Sequence, residues 1–222
     1  MIKGAIFDMD GTLFDTERLY AGNWTLTAEQ FGQTPDPDFP YAVAGTTRGG
    51  QEEIVRQYYP TVDAGAFVDA CTARMDRALE CGVPEKPGVH EILTFFRERG
   101  IKLAVASSNS RHKIEANLQR AGINDLFDLI VSGEEVEHGK PAPDIFVLAA
   151  ENLGFSPEEC YVFEDSINGV QAGIAAGCAT VMIPDLFPPT EDLRRDCLGI
   201  YPTLLEAQQK IAVTADMQSL LL

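Results

Sequence analysis

Residues 2–16 read Ile2-Lys3-Gly4-Ala5-Ile6-Phe7-Asp8-Met9-Asp10-Gly11-Thr12-Leu13-Phe14-Asp15-Thr16. A short apolar run stops abruptly at an acid and a glycine, which is the pattern of a strand buried on both faces. Four more such runs follow, at 101–107 (IKLAVAS), 127–131 (FDLIV), 160–163 (CYVF) and 179–183 (ATVMI). Helical patterns lie between them. Residues 88–99 carry Val89, Ile92, Leu93 and Phe96 on one face. Gly122 closes a helix over 110–121, Pro141 and Gly154 bracket one over 142–153, and Gly177 ends one over 166–176. Strands alternating with helices of this length build a parallel sheet covered on both faces. The fold class read here is α/β, a doubly wound, Rossmann-like parallel sheet.

Residues 16–86 break that alternation. They hold three helical stretches (16–31, 48–58 and 64–81), separated by turn-rich Thr34-Pro35-Asp36-Pro37-Asp38 and by Tyr59-Pro60. An all-helical insert of this kind implies a small second domain. The expected division is a catalytic core of 1–15 and 87–222 and a helical cap of 16–86, with hinges near 14–16 and 82–87.

Composition narrows the class of partner. The 222 residues include 34 acidic and 17 basic ones, a net charge of -17, and 45% are hydrophobic. That is a folded globular chain without the basic patch that nucleic acid or an anionic membrane requires. Five Cys without a C-x-x-C pair point to a reduced, cytoplasmic protein whose thiols are packing residues. The apolar run before Asp8 is too short for a signal peptide, and no stretch is long enough to span a bilayer. A monomer is expected. The closing Ser219-Leu220-Leu221-Leu222 is apolar enough to pack on a neighbouring surface.

Ligands bind at the carboxyl ends of strands in an open parallel sheet. Those ends carry Asp8, Asp10 and Thr12, then Ser107, Ser108 and Asn109, then Lys140, and finally Glu164 and Asp165. Four carboxylates in one buried place repel one another unless a hard cation joins them, and an all-oxygen set without His or Cys fits Mg²⁺. Asp8 and Asp10 are two apart, so a regular strand would aim both to one face. One is then available for ligation and the other for proton transfer, while Lys140, Ser107 and Thr12 are placed to hold a phosphoryl group.

The ordered segments FDMDGTLFDT (7–16), ASS (106–108), GKPAPDIF (139–146) and EDS (164–166) resemble the four motifs of the haloacid dehalogenase superfamily over nearly the whole chain. The insert resembles a class I cap, and the likeness extends to the β-phosphoglucomutase-like group of Mg²⁺-dependent phosphatases and mutases. It implies Asp8 as the nucleophile that becomes an aspartyl-phosphate, and Asp10 as general acid and then base. It implies Thr12, Ser107, Ser108, Asn109 and Lys140 around the phosphoryl group. Mg²⁺ would be held by Asp8, the Asp10 carbonyl and Asp165, with Glu164 a ligand or a partner behind the ligands. Gly45-Thr46-Thr47-Arg48 resembles the cap loop whose Arg reaches distal substrate oxygens, and Asn23 and Trp24 are candidate cavity residues. Mutases of the group carry a His where Tyr20 stands and a Lys after Ser-x-Ser that is missing here. The expected activity is therefore Mg²⁺-dependent hydrolysis of a small phosphorylated metabolite, a sugar phosphate, with a hexose phosphate mutase of the β-phosphoglucomutase type or a phospho-Asp receiver module as alternatives.

Overall fold

The computed structural model describes residues 1–80 and 82–219. The sheet is built from β1 (Gly4–Phe7), β2 (Lys102–Ser107), β3 (Leu129–Ser132), β4 (Cys160–Glu164), β5 (Ala179–Met182) and β6 (Gly199–Ile200). All neighbours pair in parallel, in the order β3-β2-β1-β4-β5-β6. The apolar sequence β1 therefore lies in the middle, where its four residues are buried.

The period of two along β1 sorts its side chains into two cores. Ala5 and Phe7 join one core, with Ile92 and Phe96 of α5 (Val89–Glu98), Ile114 and Leu118 of α6 (Arg111–Arg120) and Leu204 of the last helix (Leu204–Ser219). Ile6 joins the other, with Ile145, Phe146 and Ala149 of α7 (Asp144–Leu153) and Ala172 of α8 (Ile167–Ala175). This is the two-sided burial that a continuous apolar strand foretells.

The insert contains α1 (Glu17–Gln30), α2 (Phe39–Val43), α3 (Arg48–Tyr58) and α4 (Ala64–Ala78). It has its own aromatic cluster. The ring of Trp24 lies parallel to that of Phe67 at 6.1 Å and meets the edge of Phe39 at 5.6 Å. The two chain crossings into the insert run side by side. Asp15 N donates to Pro84 O (2.8 Å), Lys86 N donates to Leu13 O (2.9 Å), and Phe14 bridges Glu85 antiparallel. Beside them the Asp185 side chain, only 1% exposed, lies 2.9 Å from Lys86 Nζ and 3.6 Å from Arg18 Nε. Neither of its oxygens receives a well-angled hydrogen bond, so the contact is Coulombic.

Several sequence expectations need correction. The third strand starts two residues later than 127, because a 3-10 turn at Asn124–Leu126 precedes it and the Asp128 carboxylate accepts from Leu103 N. The helix expected to reach 81 ends at Ala78, and Cys81 lies outside the described residues. Cys71, Cys160 and Cys178 are buried free thiols and Cys197 is half-buried. Helix α2, strand β6, helix α9 (Glu191–Asp196) and helix α10 (Leu204–Ser219) had no sequence expectation behind them. Leu220, Leu221 and Leu222 lie outside the described residues. Among those residues no helix is long and apolar enough to cross a membrane.

Candidate active site

Strand β1 stops at Phe7, although Asp8 N still donates to Phe163 O (2.9 Å). The chain then curls. Leu13 N and Phe14 N both donate to Met9 O, and Gly11 N donates to Phe14 O. Gly11 makes the curl possible with φ +82, and a Cβ there would also overlap the Asp165 carboxylate. Asp8 and Asp10 therefore reach one chamber through a turn rather than through strand alternation.

Each charged group on the chamber floor is gripped by another. Lys140 Nζ, 3% exposed, donates to Asp8 Oδ1 (2.5 Å), Glu164 Oε1 (2.7 Å) and Ala106 O (3.4 Å). All three ammonium protons are thus used. Glu164 Oε2 accepts from Ser166 N (2.8 Å) and Ser166 Oγ (3.0 Å), and Ser166 caps α8 through Gly169 N. Gly169 leaves room for this carboxylate, since a Cβ there would fall inside it. Asp10 Oδ1 accepts from Thr16 Oγ1 and Oδ2 from Asn109 Nδ2, both at 2.5 Å. Ser107 Oγ accepts from Asn109 N (3.3 Å).

Burial dominates the titration of these groups. It pushes the Asp8 carboxyl up to about 8 against the opposing pull of Lys140, with Glu164 and Asp10 adding to the rise. Asp10 is raised by burial against Thr16, Lys113, Lys140 and Asn109, which lower it. Asp165 is held well above the usual carboxylate range by burial and by Glu164, Asp8, Glu17 and Asp185. Burial pulls Lys140 down, but Asp8 and Glu164 outweigh it and keep the ammonium charged.

Helix α1 forms part of the roof. Glu17, Tyr20 and Trp24 are spaced i, i+3 and i+7, and all three line the chamber beside Gly45, Thr46 and Gln51. Roof and floor meet where Ser108 Oγ donates to Gly45 O (3.2 Å). The inner chamber around Asp8, Asp10 and Lys140 holds about 50 Å³, room for a phosphoryl-sized group. It shares Tyr20, Trp24, Thr46, Gln51, Ser108 and Asn109 with an outer chamber of about 520 Å³.

Asp8, Asp10, Ser107, Ser108, Asn109, Lys140, Glu164 and Asp165 thus gather round the inner chamber, under Trp24 and Thr46. Four expectations differ. Thr12 is fully buried behind the floor, where its Oγ1 donates to Asp165 Oδ1 (3.2 Å), and it does not line the chamber. Arg48 faces outward, with Nη1 at 2.7 Å from Asp69 and Nε at 3.2 Å from Glu52, and lines only the outer chamber. Thr47 accompanies it there and caps α3. Asn23 bonds Leu19 O and Met75 Sδ away from the cavity. Ser166, the last residue of the EDS motif, braces the site through Glu164, and Thr16, Glu17 and Gln51 line or brace it without having been singled out. The i, i+3, i+7 register with Tyr20 and Trp24 was the available signal for Glu17.

The comparisons with known proteins agree with this geometry. The family model described as haloacid dehalogenase-like hydrolase matches residues 2–177. The chain belongs to the haloacid dehalogenase-like hydrolases. It is 34% identical over 177 residues to the phosphorylated carbohydrates phosphatase of Thermotoga maritima, covering 79% of this chain and 82% of that one. It is 33% identical over 179 residues to the fructose-1-phosphate phosphatase of Escherichia coli, covering 80% and 94%. The β-phosphoglucomutase structure from Clostridium difficile superposes over 100% of both chains with a TM-score of 0.83 at 20% identity, a likeness of fold. Within the family both of these curated relatives are phosphatases, and the chain is 29% identical to the putative β-phosphoglucomutase structure from Thermotoga maritima, covering 95% of this chain and 99% of that one with a TM-score of 0.76.

The donor set fits a hard cation. Asp8 and Asp165 are buried residues, and each keeps an Oδ2 that accepts no hydrogen bond among the described residues. No three acid, His or Cys side chains converge as a ready-made cage among those residues, so main-chain oxygen and water would complete the shell, which is how Mg²⁺ is commonly bound. Glu164 has both oxygens committed to Lys140 and Ser166, which places it behind the ligands.

Proposed function

We propose that the protein hydrolyses the phosphate monoester of a small polyhydroxy metabolite, a sugar phosphate or its like, through a phospho-Asp8 intermediate. The observation that carries this is the meeting of Asp8, Asp10 and Lys140 in a chamber sized for one phosphoryl group, opening onto a larger one. The Asp8 carboxylate attacks phosphorus and the ester P–O bond breaks. Asp10, fixed by Thr16 and Asn109, gives its proton to the departing alkoxide. It then takes a proton from the water that cleaves the acyl phosphate, which frees inorganic phosphate and restores Asp8. The hydroxyl proton of Ser107, free among the described residues, and Asn109 beside it hold the phosphoryl oxygens in line, and the Lys140 ammonium in the floor offsets their charge. Mg²⁺ on Asp8, Asp165 and the Asp10 carbonyl would offset the charge on those oxygens. The names of the Thermotoga and Escherichia relatives support the substrate class.

The test is a screen of sugar, polyol and aryl phosphates for released phosphate, with Mg²⁺ and with EDTA. The expected result is Mg²⁺-dependent release, strongest on sugar or polyol esters and reversibly lost in EDTA. Conversion of a hexose 1-phosphate to its 6-phosphate without phosphate release would favour the mutase instead. Release unaffected by EDTA would remove the metal from the scheme.

A further inference from the structure

We infer that Glu17 is a specificity-determining residue that reads a substrate hydroxyl next to the phosphate ester. The inference rests on the phosphatase reading and adds a residue to it. Glu17 opens α1 and lines the inner chamber, yet no hydrogen bond or ion pair reaches its carboxylate among the described residues. Its surroundings oppose it. Burial, then Asp10, Asp8, Asp185 and Glu164, push it up to about 8. The half-buried carboxylate is thus left with hydrogen-bonding capacity turned into the chamber and no protein group among the described residues to use it.

The start of α1 is diverted to the site as a whole. Thr16 stands at the N-cap position but makes no side-chain cap; its backbone is already helical there, and its hydroxyl donates to Asp10. One turn on, Tyr20 also lines the chamber, and no hydrogen bond to its hydroxyl occurs among the described residues. Burial and Asp10 keep that phenol neutral, a donor. A carboxyl on the inner chamber and a phenol that lines both chambers therefore stand three residues apart on one helix, at the outer side of the phosphoryl pocket. That is where the first carbons of an ester must lie. A hydroxyl there bonds to Glu17 in either protonation state, and a flat aryl group leaves Glu17 desolvated and unpaired.

The experiment compares kcat/KM for glycerol 1-phosphate with that for 4-nitrophenyl phosphate, in the wild type, Glu17→Ala and Glu17→Gln. The expected result is a fall in the glycerol-to-aryl ratio of about tenfold or more in Glu17→Ala, one lost hydrogen bond's worth. A smaller fall is expected in Glu17→Gln, which keeps the shape and an acceptor. An unchanged ratio, or equal losses on both esters, overturns the assignment, since a role in helix stability, metal binding or proton transfer would move both alike. Thermal shifts decide the matter even if neither ester is hydrolysed, an outcome that would sink the phosphatase reading alone. The wild type should gain more from glycerol 1-phosphate than from inorganic phosphate, and Glu17→Ala should lose that difference; equal differences in the two proteins refute the role.

Discussion

Floor and roof of the chamber are built on opposite terms. On the floor Lys140, Asp8 and Glu164 form a closed network, Asp10 is held at both oxygens, and Asp165 is held at one oxygen by Thr12. On the roof the polar tips of Glu17 and Tyr20 have no partner among the described residues, and Arg48 has turned away to Asp69 and Glu52. A network satisfied within the fold is rigid and suits chemistry common to every substrate. Unpaired groups over the same cavity are positioned to be satisfied by the ligand, and so to choose it.

The largest effect should come from breaking the floor at its centre. Asp8→Asn should lower turnover by roughly 10⁴-fold or more, the scale seen when a nucleophile is removed, with an unchanged far-UV circular dichroism spectrum. Near wild-type release of phosphate would refute the mechanism. Lys140→Met comes next. It strands Asp8 and Glu164, so it should cost about 3 kcal/mol in denaturant unfolding as well as roughly 10²-fold or more in turnover. A stable variant with lost activity would show that the floor network is not a unit.

A subtler break uses pH. Asp8 and Glu17 sit at about 8 in the folded protein, while an unfolded chain releases such protons near pH 4. Their contribution to stability is complete below about pH 4 and declines as pH rises toward about 8, because the unfolded chain has already lost those protons. Mg²⁺ must displace the Asp8 proton at low pH, so its thermal stabilisation should grow from pH 5.5 to pH 8. A shift independent of pH would detach Asp8 from the metal. The smallest effect is on the outer roof. Arg48→Ala should change kcat/KM by less than about threefold and stability by under about 0.5 kcal/mol, because its partners are surface carboxylates. A tenfold loss would mean that Arg48 swings inward with substrate.

Much of this arrangement was legible in the sequence. Five strands and the helices between them follow from apolar runs with glycine and proline stops. What escaped were pieces too short for a period to show, such as two-residue β6 and five-residue α2, and the 16-residue α10, whose apolar residues do not gather into one stripe. The strand-end residues were legible as a set, but their directions were not. Alternation ends with Phe7, and beyond it only the curl at Gly11 decides that Asp10 enters the chamber while Thr12 turns behind it. Glu164 was readable as one of the strand-end acids, whereas its engagement on both sides depends on Lys140, 24 residues away. Arg48 depends on how the insert packs, which no local pattern encodes. Glu17 lay one residue past the first motif.

The paired crossings at Asp15 and Lys86 have a consequence for exchange. Because Phe14 and Glu85 are already bridged, everything between them is, topologically, the loop of one long hairpin hung from the carboxyl edge of the sheet. Such a loop can be swapped as a cassette without disturbing any strand register, provided the new piece ends on the same two bonds and keeps a hydroxyl at position 16 to hold Asp10. The chain thus separates the inheritance of its chemistry from the inheritance of its taste.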